Sequence, residues 1–232
     1  MILEKAIEAI RNGRMILLFD AEDREGETDL VIPALSATPK DIARMRCDGG
    51  GLICVAIHDR AAERLGLPFM SELMRSVSMN GHKNLRSIIE RKGDIPYDSR
   101  SSFSLWVNHR DTFTGITDND RALTINRIGE AVLRVLNGEK LDFGSEFRSP
   151  GHVALLRAAS GLLDERRGQT ELSIQLALMA GITPSMVVCE MLDGNTGKAL
   201  SKEDARTYSL VHSMPFVEGK NILESCSHSD SC

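Results

Sequence analysis

Apolar and polar positions along this chain follow two rhythms. Leu3, Ala6, Ile7 and Ile10 recur at i, i+3, i+4, i+7, which predicts an amphipathic helix that Gly13 can end. The run "MILLF" (15–19) is continuously apolar and predicts a short buried strand, and "DLVIPAL" predicts a second one beyond an acidic loop. A helix should open at "ATPKDIARM", with Thr38 as cap, Pro39 in the first turn and Asp41 at the positive end. "DGGG" (48–51) breaks the chain before another apolar strand, "LICVAI" (52–57).

Residues 58–66 predict a short helix closed by Gly66. The stretch 68–101 mixes Pro, Gly, Ser and charge, and is expected to be a long excursion with a helix near 83–91. "SFSLWVN" (102–108) alternates as a strand does, and "TFTGITDND" is a polar loop. The longest helical signal covers 121–138, with Leu123, Ile125, Ile128, Val132, Val135 and Leu136 on its apolar side and Gly138 after it. "SPGHVALLRA" predicts a strand after a turn, 170–181 a helix capped by Thr170, and 185–192 a strand. "DGNTG" is a turn, and "SKEDARTYSLVHS" a helix with Ser201 and Asp204 in capping-box spacing.

Strands and helices interleave without repeat or linker. That predicts a single α/β (α+β) domain on a mixed sheet over residues 1–222, with the small polar residues of 223–232 as a frayed tail. Composition sharpens this. Of 232 residues 42% are apolar but only 4% aromatic, so the core must be aliphatic. The net charge of −5 lacks the basic excess of a general nucleic-acid binder. The cysteines at 47, 54, 189, 226 and 232 show no CxxC spacing, which argues against a disulfide scaffold or a structural zinc site. No run approaches the roughly 20 apolar residues of a membrane helix, and the start lacks a signal-peptide pattern, so a cytoplasmic protein is expected.

Three places could carry chemistry. "DREGETD" (23–29) packs four carboxylates and Arg24 between two buried strands. In extended backbone Glu25, Glu27 and Asp29 share one side, a hard-oxygen set suited to Mg²⁺ or Mn²⁺. The alternative is a solvated acidic turn. "RRGQT" (166–170) runs into a helix, where free amides, the helix dipole, Arg166, Arg167, Gly168 and Thr170 make a phosphate seat; the plainer reading is a capped helix behind a basic loop. Thr112, Thr114, Thr117 and Thr124 offer hydroxyls for a polyol, or ordinary turn chemistry. His152 follows a Gly turn, Cys54 reads as packing, and Glu190 after an apolar run needs a partner if buried. Together these suggest an enzyme acting on a small phosphorylated sugar, without separating isomerase, aldolase and lyase.

The motifs "FDAEDREGETDLVIPA", "GGLICVAI", "TFTGITDNDRALTI", "SPGHVALLRA", "RRGQTELSIQLALMAG" and "VVCEM" occur in this order. Together they resemble 3,4-dihydroxy-2-butanone 4-phosphate synthases, in their archaeal form, across about residues 1–220. The resemblance implies a three-layer α/β/α sandwich and a homodimer with active sites near the interface. It also implies a riboflavin-pathway lyase that needs Mg²⁺ and turns D-ribulose 5-phosphate into L-3,4-dihydroxy-2-butanone 4-phosphate plus formate, through a metal-stabilised enediolate and a skeletal rearrangement.

By the same resemblance Glu25 is a metal ligand, and Glu27 and Asp29 are acids of the same loop, Asp29 serving as proton shuttle or substrate-hydroxyl partner. Arg24 contacts substrate or steadies the loop. Arg166, Gly168 and Thr170 form the phosphate seat, and Thr114 approaches the sugar. Cys54 and Glu190 lie near the reacting carbons, and His152 comes from the partner subunit. Where the family pattern has a histidine as second metal ligand, this chain has Gln169, whose amide oxygen is a hard neutral donor but no base. That substitution keeps open a divergent metal-dependent sugar-phosphate isomerase or aldolase, or a non-catalytic sugar-phosphate-binding protein.

Overall fold

The computed structural model describes residues 2–79 and 83–227. In chain order, α1 (Ile2–Arg11), β1 (Ile16–Phe19), β2 (Thr28–Pro33), α2 (Pro39–Asp48), β3 (Cys54–Ile57), α3 (Asp59–Leu65) and α4 (Met70–Met79) form the first half. Next come β4 (Phe103–His109), α5 (Asp118–Leu136), the single turn α6 (Phe143–Glu146), β5 (Phe147–Arg157), α7 (Gln169–Met179) and β6 (Ser185–Glu190). The hairpin β7 (Leu192–Asp193) and β8 (Lys198–Ala199), then α8 (Lys202–Val211), β9 (Phe216–Glu218) and α9 (Gly219–Ser227), complete the described chain. Thr38 caps α2 with a full capping box, as its spacing predicts.

Seven strands form one mixed sheet in the order β4-β5-β3-β6-β2-β1-β9, with β3–β5 and β1–β9 parallel and the other pairs antiparallel. Strand alternation sorts the core into two layers. Leu17, Leu30, Ile32, Val55, Val153 and Val187 face α2, α3 and α5. Ile16, Leu18, Val31, Cys54, Ala154 and Val188 face α1, α7 and α9. This is the expected α/β/α sandwich, with an aliphatic core. Helix α7 is buried nearly all round, so it lies inside the molecule rather than on its surface. Among the described residues no helix is long and apolar enough to cross a membrane.

Four expectations need correction. The excursion 68–101 contains the helix α4, and only a 3₁₀ turn, Lys83–Ser87, occupies the place of the helix expected near 83–91. "SPGH" is not a turn before a strand. It bulges out of β5, since Val107 pairs with Val153 while Asn108 pairs with Arg148. The Asn108 side chain bridges the gap, its Oδ1 accepting from the His152 amide at 2.8 Å. The expected frayed tail is helical through Ser227, because Ile222, Leu223 and Cys226 pack onto the α1/α7 layer; residues 228–232 lie outside those described. Finally, Thr170 does not cap α7: the cap is Gly168, which has no side chain to offer.

Candidate active site

The sheet brings the acids together by register. Asp29 on β2 stands directly opposite Glu190 at the end of β6, on the face of Val31 and Val188, and Cys54 pairs with Val188 from the other side. All three side chains therefore point toward α7. With Glu25, Glu27, Arg166, Gln169 and Thr170 they line a cavity of about 190 Å³, whose wall also includes Tyr97, Asp98 and Ser101.

The acidic hairpin is braced by a residue the sequence reading passed over. Asp20 is buried, and its two carboxylate oxygens accept from the amides of Glu25 (3.1 Å) and Glu27 (3.0 Å). Gly26 between them has φ +67°, a left-handed conformation that glycine adopts without strain. The turn thus presents Glu25 and Glu27 on the cavity rather than leaving them in solvent.

The start of α7 closes the other side. Its first turn has no side-chain cap, so amide donors remain at the cavity. Gly168 is where the Arg166 guanidinium folds back, and a Cβ there would collide with it. Gln169 is only 6% exposed, and its Nε2 donates to the carbonyls of Leu18 (3.1 Å) and Glu27 (3.1 Å). Carbonyls only accept, so both amide hydrogens are committed and the orientation of the amide is settled. Oε1 is left buried with no partner. A buried oxygen without a donor is costly, and it sits in a residue that lines the cavity beside Glu25. That is the donor set a hard divalent cation accepts: one carboxylate and one neutral oxygen, the other positions going to water or substrate. Among the described residues no three His, Cys, Asp or Glu side chains form a group that could hold a metal ion by themselves.

Electrostatics in the cavity run against ionisation. Burial first, then Glu25, Glu190 and Asp20, lift Glu27 to about 7. Burial followed by Glu190 and Glu25 raises Asp29 well above the carboxylate range. Glu25 and Glu190 are raised too, chiefly by burial. Burial first, then the neighbouring Glu190 and Asp29, push the Cys54 thiol up, which favours its neutral form.

Not every expected residue arrives. Arg24 borders an adjoining cavity and bonds Asp98 instead. Arg167 is exposed on that same outer side. Thr114 and His152 lie apart from the acidic cavity, gathered around Asn108 at the β4–β5 edge. Thr114 gives its amide and hydroxyl to Asp120, and the loop beside it exposes Phe113 (94%) and Ile116 (50%).

The family model described as 3,4-dihydroxy-2-butanone 4-phosphate synthase matches residues 4–225. A protein of that name from Archaeoglobus fulgidus is 60% identical over 221 residues, spanning 95% of this chain and 92% of the relative. Another from Methanosarcina acetivorans is 58% identical over 222 residues, spanning 96% and 90%. Among solved structures, a 3,4-dihydroxy-2-butanone 4-phosphate synthase in complex with two magnesium ions superposes with a TM-score of 0.77 at 26% identity, over 98% of this chain and 97% of that one. The Candida albicans enzyme does so with a TM-score of 0.73 at 28% identity, over 97% and 96%.

Proposed function

The chain belongs to the 3,4-dihydroxy-2-butanone 4-phosphate synthase family, and we propose that the cavity between the acidic hairpin and α7 is where it performs that family's reaction. It is a lyase of riboflavin biosynthesis, converting D-ribulose 5-phosphate to L-3,4-dihydroxy-2-butanone 4-phosphate plus formate. The observation that carries this site assignment is the meeting, in one cavity, of Glu25, Glu27, Asp29 and Glu190 with Arg166, Gln169 and Thr170.

Glu25 and the amide oxygen of Gln169 would hold the divalent cation, Mg²⁺ first and Mn²⁺ by the same hard-oxygen preference. When bound, the cation supplies positive charge where the sugar becomes negative on losing a carbon-bound proton. The other roles belong to side chains. The phosphoryl end sits at the uncapped start of α7 beside Arg166 and Thr170, which fixes the far end of the sugar and orients its reacting carbons. Glu27, lifted to about 7, can both take and return a proton near neutrality. Asp29 and Glu190, paired across two strands, supply further proton positions for a reaction that moves protons at several carbons. Cys54 shapes the wall as a neutral thiol. Thr114 and His152 act from a second copy in a homodimer, which would also cover Phe113 and Ile116.

Incubation with D-ribulose 5-phosphate and Mg²⁺ tests the reading by formate release. An isomerised sugar without formate would instead mark an isomerase, and binding without turnover a sugar-phosphate-binding protein. Mixing the separately inactive Glu25→Gln and His152→Ala chains should restore part of the activity, if each site draws on two copies.

A further inference from the structure

Asp98 occupies a peculiar place. It lies in the stretch 88–102, which has neither helix nor strand. Its side chain is nonetheless only 5% exposed, held between two guanidinium groups. Oδ2 receives Arg24 Nη2 at 3.0 Å and lies 2.5 Å from Arg166 Nε. Oδ1 is spent on the amide of Ser99, at 2.8 Å. A single oxygen therefore faces two cations.

That oxygen does not satisfy them. The Nε atoms of both Arg24 and Arg166 are buried without a hydrogen bond, the close Asp98 contact lacking the alignment of one. The Arg166 Nε lies against Asp98 without a hydrogen bond, and the Arg24 Nε faces Asp20 at 3.7 Å, too far for one. A phosphoryl group brings three terminal oxygens and up to two charges to the same point, and charge-assisted bonds to guanidinium are strong ones. Each arginine also has an acid of its own, Glu171 for Arg166 (2.6 Å) and Asp20 for Arg24 (3.7 Å), so Asp98 is the anion the two share rather than the one that keeps them charged.

Position supports the same conclusion. Ile95, Tyr97, Asp98 and Arg166 line the acidic cavity and also a larger one of about 750 Å³ on the outer side. The Asp98 bridge is thus part of the partition between the two. Beyond Asp98 the strap is fastened by Arg100, which bonds Glu165 at 3.1 Å, while on the near side Arg24 reaches the Tyr97 carbonyl at 3.4 Å and residues 91–94 are exposed.

We propose that Asp98 is the resident bridging anion of the phosphate seat: it spans Arg24 and Arg166 until a phosphoryl group displaces it, so the site admits dianionic ligands and rejects unphosphorylated sugars. This rests on the phosphate seat assigned above. Asp98 is in these terms a specificity-determining residue. A neutral hydroxyl cannot exchange with a carboxylate held by two cations, and every ligand is charged for the exchange in affinity.

The test uses the full chain, inorganic phosphate as probe and calorimetric titration in Mg²⁺ buffer at a pH where phosphate is a dianion. Asp98→Asn keeps the shape, removes the competing charge, and should bind phosphate about tenfold more tightly than the unaltered chain. Limited trypsin digestion of the unaltered chain gives a reading independent of any variant. Phosphate should speed cleavage after Lys92 by releasing the strap. Binding by D98N that is equal or weaker, or phosphate that slows the cleavage, overturns the proposal. If the unaltered chain binds phosphate while D98N binds no tighter, only the role of Asp98 fails. If neither chain binds phosphate, the seat fails with it.

Discussion

Two buried carboxylate sites lie one strand apart and are built in opposite ways. Glu218 on β9 stands beside Phe19 of β1, and Asp29 on β2 stands opposite Leu18 of the same strand. Lys202, Arg206 and Lys220 all pair with Glu218. Burial alone would raise Glu218, but its hydrogen bonds to Lys202, Lys220 and Arg206 outweigh that and hold it at about 2. On the other side, Glu25, Glu27, Asp29 and Glu190 share one cavity; burial raises all four, and neighbouring acids add to it at Glu25, Glu27 and Asp29. Acids that support the fold are given cations by the chain. The acids to which the proposed function gives the chemistry are left short of them, which costs stability and leaves a place for a bound cation and for protons.

The strongest way to break this contrast is to remove one acid from each side. Glu25→Gln should lower turnover by about 10²–10³-fold, the scale of losing a preorganised charge-stabilising group, while Glu218→Gln should leave turnover within about twofold. Steady-state formate release checks both. The thermal midpoints should then move in opposite directions. Without added metal, Asp29→Asn should raise Tm by about 2–4 °C, because folding no longer has to bury a charge or draw a proton onto that site. Glu218→Gln should lower Tm by a similar few degrees, about 2–4 °C.

Acidity sharpens the contrast further. Glu27 has a raised folded pKa, so its contribution to stability is complete below its ordinary 4.5 and lost as pH rises through about 7. Glu218 has a depressed one, so its contribution is complete above 4.5 and lost as pH falls toward about 2. Metal-free protein should therefore lose Tm between pH 5 and 8, and Glu27→Gln should flatten that slope. The deficit of Glu218→Gln should persist across the same range and close only in acid. The smallest effect belongs to Lys220→Ala. Its side chain is 64% exposed and two other cations remain on Glu218, so Tm should change by about 2 °C or less.

Much of this was legible in the chain because it is written in local pattern. The central strands, α2 with its cap, α5 and the acidic loop follow from period and residue type. Where the sequence reading failed, the missing information was distant or overlooked. Met70, Leu73, Met74 and Val77 do carry the helical spacing of α4, hidden by the aperiodic residues after them. β9 has three residues and exists through its parallel pairing with β1. The SPGH bulge depends on Asn108, which sits in another strand. The buried braces were the hardest to see. Asp20 looks like one more acid of a run until its bonds to the Glu25 and Glu27 amides are known. Asp98 lies in a segment without period, and nothing near it in sequence announces Arg24 or Arg166. Gln169 was visible as a departure from its family's pattern. The fold adds that its amide hydrogens are committed elsewhere, so that only the oxygen is left over.

The most direct measurement is a calorimetric titration of the metal-free protein with Mn²⁺ at neutral pH, in two buffers of different ionisation enthalpy, which counts protons exchanged on binding. Carboxylates held partly protonated for want of a cation predict net proton release as the metal binds, with less release in Glu27→Gln. Mn²⁺ binding with no proton release, or with unchanged affinity in Glu25→Gln, would contradict a cation site built on the acidic hairpin.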